Sequence, residues 1–182
     1  MTNIKSSMKN LLAEGLYLIM LQKSFDKITI KQICDKTGVI RGTFYNHFID
    51  KYEALEYLTY YLLIKDNMKY MESKKYNELM YYTIQSIYEN KDFFYKAFQI
   101  VGQNNFESIL ENLYKKIFIQ VIDENKLKIK NLTVSKEFLS TYYANSFIFI
   151  IKNWINHGCT TSQEEIFYTL NFLLTKSFSE VM

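Results

Sequence analysis

An all-α fold is the prediction for this 182-residue chain, and three observations carry it. The sequence holds no proline and only five glycines, too few turn formers for the many reversals of a sheet protein. Apolar residues recur at helical spacing, as in Ile4, Met8, Leu11, Leu12, Leu16 and Ile19. Capping pairs, in which Thr, Asp, Asn or Ser is followed three residues later by Gln or Glu, head several such segments. A composition 48% hydrophobic and 23% charged supplies a sizeable core and excludes wholesale disorder.

The elements follow in order. The first helix spans about residues 4–23 and carries the apolar stripe just named. Phe25-Asp26-Lys27 leads to a second helix, opened by Thr29 with Gln32 as capping-box partner and Ile28 and Ile33 as a hydrophobic staple. Gly38 ends it within two turns by supplying a left-handed stop. A third short helix spans about 40–48. On a helical wheel Ile40, Phe44 and Phe48 share one direction and are expected to anchor it, while Gly42 and Asn46 point the opposite way. Thr43 and His47 line one flank, Arg41 and Tyr45 the other. Asp50 with Glu53 then starts a fourth helix predicted to reach about residue 71. Further helices are predicted at about 76–89, 91–101, 105–125, 134–157 and 163–181, with Asn104–Glu107 and Ser162–Glu165 as additional capping pairs.

Two short helices joined by a glycine-containing turn are a helix-turn-helix candidate, whose second helix would enter a DNA major groove. The plain alternative is an αα-corner with a solvated outer face. Glycine on that face favours DNA. Ordinary helix surfaces avoid it at a cost of about 1 kcal/mol against alanine, whereas it lets the backbone approach a phosphate or base. Charge agrees: five basic residues stand against two acids between Lys27 and Lys51, but 14 against 13 from Tyr61 onward.

The run from Ile28 to Leu55 resembles the N-terminal domain of TetR/AcrR-family transcriptional regulators. Gly38-Val39, Gly42-Thr43-Phe44-Tyr45, His47-Phe48, and Lys51 with Leu55 match that pattern in type and spacing. The resemblance extends over about residues 4–60. It implies an N-terminal three-helix helix-turn-helix DNA-binding domain over 1–52 and a C-terminal helical effector-binding (sensor) and dimerisation domain over 53–182. It further implies a transcriptional repressor that binds a palindromic operator in double-stranded DNA as a homodimer and is released by a small-molecule ligand. One departure matters. Ile40 stands where the family usually has a serine or similar cap, at a cost of about 1 kcal/mol in helix stability.

Candidate DNA-contacting residues are Thr29, Lys31, Arg41, Gly42, Thr43, Tyr45, Asn46, His47 and Lys51. Arg41 is the one arginine beside 21 lysines, and its planar fork suits a guanine edge or a phosphate; a solvated charge beside Tyr45 is the ordinary alternative. Tyr45 and His47 resemble the family's phosphate-contacting pair. Thr29, Thr43 and Lys51 are assigned to phosphate, with Lys31 adding charge and backbone amides at Thr29 and Asp50 adding donors. Asp50 itself reads as a cap and Cys34 as core.

Aromatic residues are dense after residue 80, and ordinary core is the plain account of them. By analogy with the family, Tyr57, Tyr60 and Tyr61 with Tyr142 and Asn145 are expected to line a cavity for an apolar or aromatic effector. Ala144–Ile151 is apolar on more than one face, and Phe167, Leu170, Leu174 and Phe178 form a stripe. The last two helices are therefore the expected homodimer interface.

Other classes find little support. There is no phosphate-cradling glycine loop, nucleophile elbow or metal-ligand spacing, so no catalysis, metal or cofactor is expected. Cys34 and Cys159 make no disulfide framework and suggest a reducing compartment. The longest uncharged stretch, Phe138–Ile151, has 14 residues, below the roughly 18–20 of a spanning helix. With no signal-peptide pattern at the N-terminus, a cytoplasmic location with no membrane partner is expected. The alternative function is a helical interaction protein of this fold that acts through a protein partner.

Overall fold

Ser7 opens the first helix, α1 (Met8–Met20), its hydroxyl oxygen accepting from the Asn10 amide at 3.2 Å. The computed structural model describes residues 7–124 and 134–175, so Ile4, at the head of the predicted stripe, lies outside the described residues. Leu12, Leu16 and Ile19 of that stripe are buried, whereas Met8 and Leu11 face solvent.

The capping box of α2 (Ile30–Thr37) forms in full: the Gln32 amide donates to Thr29 Oγ1 at 3.3 Å and the Thr29 amide to Gln32 Oε1 at 3.0 Å. Gly38 closes the helix with φ of 71°, a left-handed conformation costly for side chains with a Cβ. Helix α2 packs closely on α1 through Gly15. A Cβ on Gly15 would lie 2.4 Å from Thr37 Cγ2, so only glycine admits this approach. Helix α3 (Arg41–Tyr45) is short and is held by Phe44 and Phe48, which are 0% and 1% exposed. Burying a side chain of this size contributes roughly 1.5–3 kcal/mol.

Helix α4 (Lys51–Leu63) starts where Asp50 Oδ1 accepts from the Tyr52 and Glu53 amides at 2.8 and 2.9 Å. Glu53 reaches back to the Ile49 amide at 2.6 Å, one residue before the cap. The predicted single helix to residue 71 is interrupted. After Ile64 comes a 3₁₀ turn over Lys65–Asn67 and then α5 (Met68–Glu72). Asn67 Nδ2 donates to the Leu63 carbonyl at 3.3 Å, an amide side chain competing with backbone for a helical acceptor.

The rest of the chain is α6 (Tyr76–Glu89), α7 (Lys91–Ala97), α8 (Phe106–Glu124), α9 (Lys136–Asn156) and α10 (Gln163–Thr175), and no strand occurs among the described residues. Ser162 and Glu165 cap α10 reciprocally as predicted. Helix α8 is capped one residue later than expected: Asn105 Oδ1, not Asn104, accepts from the Ser108 amide at 2.9 Å. Phe93, Phe94, Phe98 and Phe106 interlock between α7 and α8. Helices α8 and α9 pair through Tyr114 on Phe147, ring centroids 4.5 Å apart. Trp154 Nε1 donates to the Thr161 carbonyl at 2.9 Å and fixes the turn into α10. A continuous hydrophobic core joins α1–α4 to the later helices.

Candidate nucleic-acid interface and effector cavity

With Phe44 and Phe48 turned inward, α3 presents Arg41, Gly42, Tyr45 and Asn46 to solvent, with Thr43 and His47 half-buried. Arg41 and Tyr45 sit one turn apart on the same flank, Nη2 donating to the phenol oxygen at 3.4 Å. Open space surrounds Gly42 except for Ile40 Cδ1, 3.9 Å from where a Cβ would stand. Lys27, Lys31 and Lys36 are exposed nearby, and no ion pair among the described residues involves them or Arg41. Thr29 is exposed as well. Its oxygen accepts the capping bond, and its hydroxyl hydrogen is left to donate outward. Exposed cations and hydroxyls are the groups that contact a phosphate backbone.

Two expectations need correction here. Ile40 does not anchor α3: it is 76% exposed. It occupies the N-cap in extended geometry (φ −83°, ψ 157°) with no side-chain cap bond, and helical-wheel angles do not apply to a residue outside the helix. Lys51 is the second. Its ammonium donates to the carbonyls of Phe25 (2.9 Å), Ile28 (3.0 Å) and Asp26 (3.3 Å) and lies 4.6 Å from the Phe25 ring centroid. All three of its donors are engaged, so it staples α4 to the α1–α2 connection and has none left for a phosphate. Burial lowers its pKa below the ordinary lysine value, against the opposing pull of Asp26 and Asp50.

The four predicted effector residues are not brought together. Tyr57 lines a cavity of about 450 Å³ between α1, α4, α5 and α8, beside Lys9, Tyr60, Met68 and Ile109. Tyr61 is 6% exposed and is not among the residues lining that cavity. Tyr142 is 59% exposed and Asn145 is exposed too, on the outer face of α9, and neither lines this cavity. A second cavity of about 230 Å³ lies between the end of α4 and α6, α8, α9 and α10, walled by Ile64, Thr83, Tyr114, Phe118, Phe147 and Leu174 among others. Sequence reasoning counted Tyr114, Phe118 and Phe147 among the dense aromatics from which the family analogy would draw pocket walls, without assigning any of them individually. The available signal was a tyrosine, Tyr114, on the buried stripe of Leu110 and Ile117, where a phenol calls for a polar partner.

The last two helices leave apolar side chains uncovered. Phe138, Tyr142 and Phe149 on α9 and Tyr168, Phe172 and Leu173 on α10 are 43–72% exposed. The stripe expected to face outward does not: Leu170 is fully buried and Phe167 packs against the core. Phe178 lies outside the described residues.

Helices α2 and α3 form a helix-turn-helix at the head of an all-α chain, with Arg41 on the outer face of the second helix. Comparison with known proteins gives the class. A TetR-family model described as "Transcriptional regulator C-terminal region" matches residues 74–176, more than half of the chain. The chain therefore belongs to the TetR family of transcriptional regulators. It is 27% identical to the dhaKLM operon transcriptional activator DhaS of Lactococcus lactis, over 96% of this chain and 94% of that protein. Among solved structures it is similar in fold to a dihydroxyacetone kinase operon activator, DhaS, with TM-score 0.65, 24% identity, and 91% and 93% of the two chains covered. It is also similar to Thermus thermophilus FadR, a TetR-family repressor solved with lauroyl-CoA, with TM-score 0.68, 14% identity, and 93% and 94% covered. No helix among the described residues is long and apolar enough to cross a membrane.

Proposed function

We propose that this protein binds a palindromic DNA operator as a homodimer and regulates transcription from it in response to a small-molecule effector. The observation that carries this is the outer surface of α3, where Arg41, Tyr45 and Asn46 surround the open backbone at Gly42 while Phe44 and Phe48 fix the helix from behind. Arg41 supplies a bidentate fork for a base edge, and Tyr45, Thr43, His47, Thr29 and Lys31 surround it with phosphate donors.

A five-residue helix reads only a few base pairs, so specificity calls for two copies spaced about one DNA turn, ~34–36 Å, on a two-fold site. The uncovered Phe149 and Phe172 faces of α9 and α10 support pairing with a second copy of the chain. Repression follows where the operator overlaps a promoter. One relative is named an activator and another a repressor, and the same bound dimer gives either outcome according to operator position.

Fluorescence anisotropy against the gene's own upstream DNA tests the proposal. Arg41→Ala should weaken the specific complex by roughly ten- to hundredfold with an unchanged melting curve. Equal affinity of wild type and Arg41→Ala for the operator would remove direct readout by α3.

A further inference from the structure

Folding alone does not account for Ile40. It occupies the N-cap of α3 in extended geometry, yet its side chain makes no cap bond, where serine, threonine, asparagine or aspartate would accept from a backbone amide. Nor does it pack. It is 76% exposed, and only Ile49 and Val101 are more so among the large apolar side chains of the described residues. An isoleucine placed here lacks both the cap and the burial by which a residue at this point would stabilise the chain.

Its surroundings show which way the side chain lies. A Cβ on Gly42 would stand 3.9 Å from Ile40 Cδ1. Gly42 is exposed, two residues and therefore about 200° of helix before the buried Phe44. The isoleucine tip thus lies along the outer face of α3, over bare glycine backbone and beside the exposed Arg41.

We propose that Ile40 is a specificity-determining residue that reads thymine in the operator by packing on its C5-methyl group in the major groove. The assignment rests on the operator-binding function proposed above and adds a base identity to it. Base pairs display hydrogen-bond donors and acceptors in that groove, and the thymine methyl is the apolar exception. A branched aliphatic side chain is stabilised by covering that methyl. Over cytosine it would face the N4 amino donor, offer no acceptor and strip away the water that otherwise bonds it. Ile40 therefore favours T·A and disfavours C·G at one position of each half-site. Consecutive Cα atoms lie about 3.8 Å apart and stacked base pairs about 3.4 Å. The thymine should then fall within about two base pairs of the base that the Arg41 fork contacts.

The test is fluorescence anisotropy on operator duplexes selected from randomised DNA with the wild-type protein. Each thymine is replaced in turn, in both half-sites, by deoxyuridine, which lacks only the methyl. One position should respond, with wild-type binding weakened roughly three- to fivefold per half-site, the value of about one buried methyl group. Ile40→Ala should bind the thymine operator more weakly by a similar factor and be indifferent to deoxyuridine at that position. Ile40→Ser, which regains a capping hydroxyl, should melt no lower than wild type and show the same indifference, so that the loss is not one of folding. Wild-type binding that tolerates deoxyuridine at every thymine would overturn the proposal. So would an Ile40→Ala variant that keeps the full wild-type sensitivity. Competition with scrambled duplex scores operator binding separately. No preference for any selected duplex would overturn the DNA-binding function and this proposal with it, whereas selective binding without coupling to the methyl would overturn the role of Ile40 alone.

Discussion

Lys96 of α7 places its ammonium 2.7 Å from the carbonyl oxygen of Leu21, the residue that ends α1. Helix α1 has no basic residue in its own last turn, so a cation from a distant helix satisfies the C-terminal carbonyl and opposes the negative end of the helix dipole. One turn along α1, Tyr17 donates to Asn90 Oδ1 at 2.9 Å and stacks on Phe93. The later helices thus grip α1 directly as well as through α4. Burial, and secondarily Asp92, push the Tyr17 phenol above its ordinary pKa, so it stays a neutral donor. Lys96→Met should lower unfolding free energy by about 1–3 kcal/mol, or roughly 2–4 °C per kcal/mol in melting temperature for a chain of this size. An unchanged urea midpoint in the variant would show that the bond holds nothing.

Lys51→Met separates a structural lysine from a phosphate contact. Loss of three carbonyl bonds should destabilise the protein by about 1–3 kcal/mol. Operator affinity measured well below the melting transition should stay within about twofold of wild type, with the same salt slope. A slope shallower by about one unit would restore Lys51 to the phosphate-binding set.

Gly15 sets two effects against each other. Replacing glycine with alanine inside a helix ordinarily stabilises by about 1 kcal/mol, but here the new methyl would lie 2.4 Å from Thr37 Cγ2. Thr37 cannot swing aside at no cost, because Oγ1 donates to the Ile33 carbonyl at 2.8 Å. Overpacking of this kind typically costs about 1–3 kcal/mol, so Gly15→Ala should lower the melting temperature. Thr37→Ser, which deletes the offending methyl, should rescue it in the double variant. Additive effects of the two substitutions in a double-mutant cycle would refute the steric account.

The features legible in the sequence are those decided within about four residues. The Thr29–Gln32 box, the Gly38 stop, the Asp50 cap and the inward turn of Phe44 and Phe48 all follow from local geometry. What escaped depends on partners far along the chain. Lys51 has the right type and spacing for a phosphate contact, yet the carbonyls it binds lie 23 to 26 residues earlier. Ile40 falls on the apolar side of the wheel only if the helix has already begun there, and it has not. Tyr142 and Asn145 share a helix with the buried Phe147 but not a face, and a helix apolar on several sides does not reveal which side packs inward. Tyr114 entered the sequence as one of many aromatics. That its buried hydroxyl has no hydrogen-bond partner among the described residues is visible only when α8 and α9 are paired.

The outward faces of α9 and α10 lead to the last prediction. Phe149 is 72% exposed and Phe172 43% exposed, whereas Phe147 and Leu170 on the inner faces are 4% and 0% exposed. Isolated exposed apolar residues are ordinary, but five aromatics and Leu173 uncovered on two adjacent helices are the kind of surface that marks an interface. Light scattering at micromolar concentration should give twice the chain mass. Phe149→Lys should give the single-chain mass without loss of helicity, because the substituted side chain makes little contact within its own chain and a lysine would be buried unpaired in the dimer. Operator affinity of the monomer should fall steeply, since one short recognition helix per molecule remains. A wild-type monomer, or a Phe149→Lys variant that still dimerises with unchanged affinity, would move the interface away from α9 and leave this patch without a second copy of the chain as its partner.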